Sequence, residues 1–167
     1  MTSLDISAIQ SALARYQFDG WLFYDFQYRD PIAYRILQLP IVHPSRRWFY
    51  FIPTNGIPTK IVSRVEPHML DALPGNVDYY LSWEDQQKAL KNLFTNHPQV
   101  AMHYSHMNEV PYVSIIDAGT IELIRSFGVK VVSAQDLIQQ FEGLVSPLLY
   151  QTHVDLGIIM QQIMDAA

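Results

Sequence analysis

The chain has 167 residues, one domain's worth, and 49% of them are apolar while only 16% are charged, against a usual charged share of about 25%. That balance excludes a disordered chain or a highly solvated repeat. A formal net charge of -5 with no basic run longer than Arg46-Arg47 argues against nucleic acid as a partner, and the absence of cysteine excludes disulfide scaffolds, thiolate metal sites, iron–sulfur clusters and thiol nucleophiles.

Residues 3–16 place Leu4, Ile6, Ile9, Ala12, Leu13 and Tyr16 at helical spacing, with Thr2 or Ser3 as the expected cap. Gly20-Trp21-Leu22-Phe23-Tyr24 is a short aromatic-rich run of the kind buried on both faces of a sheet, so a central strand is expected there. Asp30-Pro31 reads as a cap and first-turn proline, opening a short helix that Pro40 stops. Residues 46–52 and 59–63 read as strands joined through Asn55-Gly56, which predicts an antiparallel hairpin. Residues 66–73 are expected to form a short helix, 77–81 a strand, and Ser82-Trp83-Glu84-Asp85 the capped start of a helix reaching about residue 94. A strand at 99–104, a helix at 117–127 with Ile121, Leu123 and Ile124 inward, a strand from 128 and a helix at 133–141 complete the pattern.

Alternating strands and helices predict one α/β domain over residues 1–142, with a mixed sheet because of the hairpin. Ser146-Pro147 then caps a further helix, running to Ala167, whose large apolar residues require a cover that the sequence does not supply. The expectation is a piece of a larger protein. No apolar stretch approaches the ~20 residues of a membrane helix and no secretory leader pattern opens the chain, so a cytoplasmic protein without a membrane partner is expected.

Few residues carry recognisable chemistry. His103 and His106 lie three apart, but no carboxylate cluster accompanies them and a strand ending at Tyr104 would turn them apart, so they read as surface or loop histidines. No GxSxG, SxxK or glycine-rich phosphate loop is present. Asp25 and Asp30 flank Arg29 at a strand's C-terminal end, where open α/β sheets place ligands; a helix cap with an ion pair is the favoured reading, because Asp30-Pro31 already has a capping task, and a ligand role is the alternative. His43, Arg46 and Arg47 precede a strand and suit a carboxylate or a partner, or serve as charges that protect a sheet edge.

The ordered strings Asp25-Phe26-Gln27-Tyr28-Arg29-Asp30-Pro31-Ile32-Ala33, Arg46-Arg47-Trp48-Phe49-Tyr50-Phe51-Ile52-Pro53, Leu73-Pro74-Gly75 and Tyr80-Leu81-Ser82-Trp83-Glu84 together resemble the creatinase-type N-terminal domain of Xaa-Pro peptidases. Residues 102–114 and 117–129 extend the likeness in the style of the bacterial enzymes, and His103 and His106 are local departures from it. The resemblance implies a three-layer, ribonuclease H-like α/β domain with helices on both faces of a mixed sheet. It also implies a separate pita-bread catalytic domain in which two divalent metal ions, commonly manganese, activate water on an Xaa-Pro bond. None of the metal-ligand motifs falls in this sequence, so no cofactor and no peptidase activity are expected of the chain alone. Residues 143–167 are then the linker and first helix leading to the catalytic domain. The remaining expectations are a homodimer, a proline-containing peptide substrate for the whole protein, and a rim around the active site. The rim candidates are Asp25, Arg29, Asp30, Tyr34, His43, Arg46 and Arg47. The alternative is a stand-alone binding or dimerisation module derived from the same domain.

Overall fold

The structure, a computed structural model, describes residues 4–143, 145 and 147–166. Helix α1 (Ile6–Tyr16) leads into strand β1 (Gly20–Asp25), helix α2 (Pro31–Leu37) and the strands β2 (Trp48–Pro53), β3 (Thr59–Ser63) and β4 (Asn76–Tyr80). Helix α3 (Trp83–Leu93), strand β5 (Gln99–Met102), helix α4 (Ala118–Ser126), strand β6 (Lys130–Ser133) and helices α5 (Gln135–Phe141) and α6 (Pro147–Asp165) follow. The six strands form one mixed sheet in the order β4-β3-β2-β1-β5-β6. β1 pairs antiparallel with β2, as β2 does with β3, and the remaining neighbours are parallel.

The centre of this sheet follows from composition. Every residue of β1 and of β2 is buried, as uninterrupted apolar and aromatic runs require when both faces are covered. One face packs Ile9, Leu13, Trp21, Phe23, Tyr34, Trp48 and Leu137 beneath α1, α2 and α5. The other packs Leu22, Phe49, Phe51, Leu90, Ile121 and Ile124 beneath α3 and α4. The three-layer α/β arrangement expected from the sequence is therefore present. Gly20 is required where α1 turns into β1, because a Cβ there would overlap the Phe51 ring. The Asn55-Gly56 hairpin forms as expected, with Gly56 at φ +108.

Several local expectations are corrected. Thr2 and Ser3 lie outside the described residues, and the cap of α1 is Asp5, whose carboxylate accepts from Ala8 N–H. Residues 66–73 form successive turns rather than a helix. The segment is held by i to i−3 bonds such as Asp71 N–H to His68 O, and Lys60 Nζ takes the Leu70 and Leu73 carbonyls. β5 stops at Met102, two residues early, because the His103 carbonyl turns to accept Ile115 and Ile116 N–H, both at 3.1 Å. Leu123 is only partly buried, whereas Ile121 and Ile124 face inward as expected. Arg46 and Arg47 guard no sheet edge, since β2, which they precede, is interior.

The capping box of α3 is complete: Ser82 Oγ accepts from Asp85 N–H, and Asp85 accepts from Ser82 N–H. Helix α6 has no buried residue among those described, and Leu148, Leu156, Ile159, Ile163 and Met164 stand exposed along it. Ser146, its expected cap, lies outside the described residues. No helix among the described residues is long and apolar enough to cross a membrane.

Candidate functional site

Parallel neighbours β1 and β5 end side by side, and the segments leaving them, 25–30 and 103–117, meet above the sheet. Asp25, the last residue of β1, is fully buried and organises the first segment. Its Oδ1 accepts from the N–H groups of Arg29 at 2.7 Å and Asp30 at 2.9 Å, while its Oδ2 accepts from Tyr28 N–H at 2.9 Å and the Tyr34 hydroxyl at 3.1 Å. Turning three successive N–H groups onto one carboxylate puts Gln27 and Tyr28 in the left-handed region, at φ +63 and +57. Burial pushes the Tyr34 hydroxyl pKa well up, and the adjacent Asp25 charge adds to it.

Asp30 has two tasks. Its Oδ1 caps α2 through Ala33 N–H at 2.9 Å, and its Oδ2 accepts from His103 Nδ1 at 2.5 Å. His103 is therefore no surface histidine: it is fully buried, with its ring edge-on to Trp21 and Phe23 at centroid distances of 5.7 and 5.4 Å. His106 is exposed. The expected ion pair between Arg29 and a neighbouring aspartate is absent among the described residues; the Arg29 guanidinium lies over the Phe26 ring at 5.4 Å.

Tyr28 connects these elements to the next loop. Its ring meets Tyr34 at 4.7 Å and His43 at 5.4 Å, and Gln27 N–H donates to Pro44 O. Antiparallel pairing of Asp25 with Trp48 brings Arg46 and Arg47 to the same end of the sheet. Glu66 anchors that loop, accepting from Ser45 N–H, Ser45 Oγ and Arg46 N–H. Burial alone would raise the Glu66 pKa, but these hydrogen bonds outweigh it and hold the carboxylate below its ordinary range.

All the sequence-selected residues thus sit at one end of the sheet, in two groups. Asp25, Asp30 and Tyr34 are buried and spent on internal hydrogen bonds; Arg29, His43, Arg46 and Arg47 are exposed around them. A narrow cleft of about 50 Å³ opens among Tyr24, Asp25, Arg29, Asp30, Ile115, Ile116 and Asp117. A roomier apolar cavity of about 470 Å³ lies elsewhere, between Tyr112 and α5, beside the hydrogen-bonded group Arg35, Tyr112 and Glu142. Among the described residues no cluster of His, Asp and Glu is arranged to hold a metal ion. Sequence reasoning missed Glu66 and the buried role of His103; no local pattern marks either, because their partners are 20 or more residues away.

A mixed six-stranded sheet with helices on both faces is the fold shared with creatinase/prolidase N-terminal domains. Among solved structures, the creatinase/prolidase N-terminal domain of an X-Pro dipeptidase from Streptococcus pyogenes is similar with a TM-score of 0.62 at 14% identity, covering 83% of this chain and 99% of that one. A prolidase from Thermococcus sibiricus is similar at a TM-score of 0.65 and 14% identity, covering 99% of this chain and 44% of that one. The prolidase from Pyrococcus horikoshii gives a TM-score of 0.58 at 15% identity, covering 85% of this chain. This chain spans about a third of the length of that enzyme, 35%. No protein-family model matches the sequence, and no curated protein is similar to it at a significant level.

Proposed function

We propose that this chain is the non-catalytic N-terminal domain of a metal-dependent Xaa-Pro peptidase of the prolidase or aminopeptidase P type, acting in the cytoplasm. The observation that carries the reading is one of coverage. The chain matches an isolated creatinase/prolidase N-terminal domain over 99% of that domain's length but matches full prolidases over only 35–44% of theirs. In this reading residues 143–167 connect to a catalytic domain that holds the two divalent metal ions, and the exposed apolar side of α6 packs there. The domain contributes to subunit association and to the rim of the active site.

Within that rim the two residue groups divide the work. Asp25, Asp30 and Tyr34 fix the loop, and Arg29, His43, Arg46 and Arg47 face the peptide, where a guanidinium pairs with a carboxylate. The test is hydrolysis of an Xaa-Pro dipeptide with added manganese, run on the 167-residue chain and on the product of the complete reading frame. Activity confined to a longer product is the expected result. Hydrolysis by the 167-residue chain in chelator would overturn it, and a reading frame that ends at Ala167 would leave a binding or dimerisation module as the better account.

A further inference from the structure

The cavity of about 470 Å³ beside α5 falls within the ~300–1,000 Å³ of small-molecule sites and shares no lining residue with the cleft at the polar end of the sheet. One wall is the stripe Gln135, Ile138, Gln139 and Glu142, spaced i, i+3, i+4 and i+7 along α5 and its C-cap. The other is the turn that carries Val110, Tyr112 and Val113. Ile138 and Val113 are buried, whereas Val110 and Tyr112 are 39% and 62% exposed, so apolar surface runs from the inside of the cavity to its mouth.

Glu142 gives this cavity an unanswered charge. Its Oε1 takes all the partners: Arg35 Nε donates at 2.7 Å, the Tyr112 hydroxyl donates at 3.0 Å, and a second Arg35 nitrogen pairs with the same oxygen. Oε2 is buried and has no hydrogen-bond partner among the described residues. A buried carboxylate oxygen without a donor bears its desolvation cost with nothing to offset it, so a charged donor brought into the cavity gains a strong bond. Arg35 balances Glu142 from the Oε1 side, and Asp136 then leaves the lining net negative, because no Lys, Arg or His among the described residues lines the cavity.

We propose that this cavity is a binding site for a small organic cation, an ammonium or amidinium group on an aromatic or aliphatic body. The cationic group donates to Glu142 Oε2, and the body lies against Ile138, Val113 and the Tyr112 ring, whose face also attracts positive charge. An anionic ligand meets two carboxylates, and a neutral one leaves the charge on Oε2 unanswered. The site is separate from the rim described above and does not depend on the peptidase reading.

Calorimetric titration of the 167-residue chain at neutral pH with phenethylammonium, 2-phenylethanol and 3-phenylpropanoate tests this. The cation is expected to bind saturably at one site, about tenfold or more tighter than the alcohol, and the anion not at all. Glu142→Gln should bring the cation and the alcohol to equal affinity. Gln139→Lys, at an exposed position of the α5 stripe, sets an ammonium group in the mouth and should weaken the cation about tenfold or more with unchanged circular dichroism. No saturation by the cation at millimolar concentration overturns the proposal. So does equal affinity for cation and alcohol in the wild-type chain, a preference that survives Glu142→Gln, or affinity undiminished in Gln139→Lys. Binding by the 167-residue chain that disappears in the product of the complete reading frame overturns it as well, because the rest of that protein then fills the cavity.

Discussion

Asp30 and His103 lie 73 positions apart in sequence and meet in the core at 2.5 Å, where the carboxylate that caps α2 also holds the imidazole at the end of β5. The contact ties the two segments that build the polar end of the sheet, so the position of Arg29 depends on a residue from another strand. Asp30→Ala should remove the cap and leave His103 Nδ1 unpaired in an apolar setting, lowering unfolding free energy by about 2–4 kcal/mol. Asp30→Asn retains an oxygen for Ala33 N–H and should cost less. Urea denaturation of both variants is the check, and a loss below about 1 kcal/mol for Asp30→Ala would show that neither role carries weight.

The Asp25 carboxylate accepts from three N–H groups and a hydroxyl. Tyr34→Phe removes one of these four bonds and should cost about 1 kcal/mol. Asp25→Ala releases the left-handed Gln27 and Tyr28 as well, and should both cost more and open residues 26–30 to protease. Equal protease resistance in wild type and Asp25→Ala would contradict the organising role given to this side chain.

Stability should fall with acid partly through Glu66. Its folded pKa is lowered, so its contribution is fully present above the ordinary value of 4.5 and is lost as pH drops through the lower folded value. Asp117 behaves in the same direction: partial burial would raise its pKa, but hydrogen bonds from Thr120 N–H and Oγ outweigh that. Glu66→Gln should therefore be less stable than wild type at neutral pH, with the gap closing below about pH 4.5. Denaturant titrations at a series of pH values would reveal a gap that instead stays constant.

Two glycines separate backbone strain from steric clash. Gly75 has φ +120 and a Cβ there would strike the Pro58 carbonyl, whereas Gly128 has φ +83 with open space around it. Gly128→Ala should cost about 1 kcal/mol and Gly75→Ala distinctly more, through displacement of the turn that starts β4. Thermal unfolding of the two variants gives the comparison.

Arg29 and Arg46 are exposed and make no ion pair among the described residues. Alanine at either position should change stability by no more than about 0.5 kcal/mol. In the product of the complete reading frame, each should raise KM more than it lowers kcat if the rim binds peptide. Unchanged kinetics in both variants would remove these arginines from the rim.

Local rules carried the element order a long way. The apolar run of β1, the Asp30-Pro31 start of α2, the Asn55-Gly56 hairpin and the Ser82 to Asp85 capping box are each specified by neighbouring residues, and each appears where the sequence places it. Residues 66–73 form successive i to i−3 turns in place of a helix, and Lys60 Nζ, from strand β3, takes the Leu70 and Leu73 carbonyls, a contact no local pattern announces. The sequence could name Asp25, Asp30 and Tyr34 as a group but could not tell an inward carboxylate from an outward one, since burial belongs to the packed layers rather than to the residue. His103 shows the same limit: its spacing from His106 suggested an exposed loop, and only the pairing of β5 with β1 carried it into the core against Trp21 and Phe23. What the chain encodes by itself is each element and its apolar face. Which polar groups are spent inside, and which are left facing outward, is decided by contacts between residues far apart in sequence, which exist only once the sheet has closed.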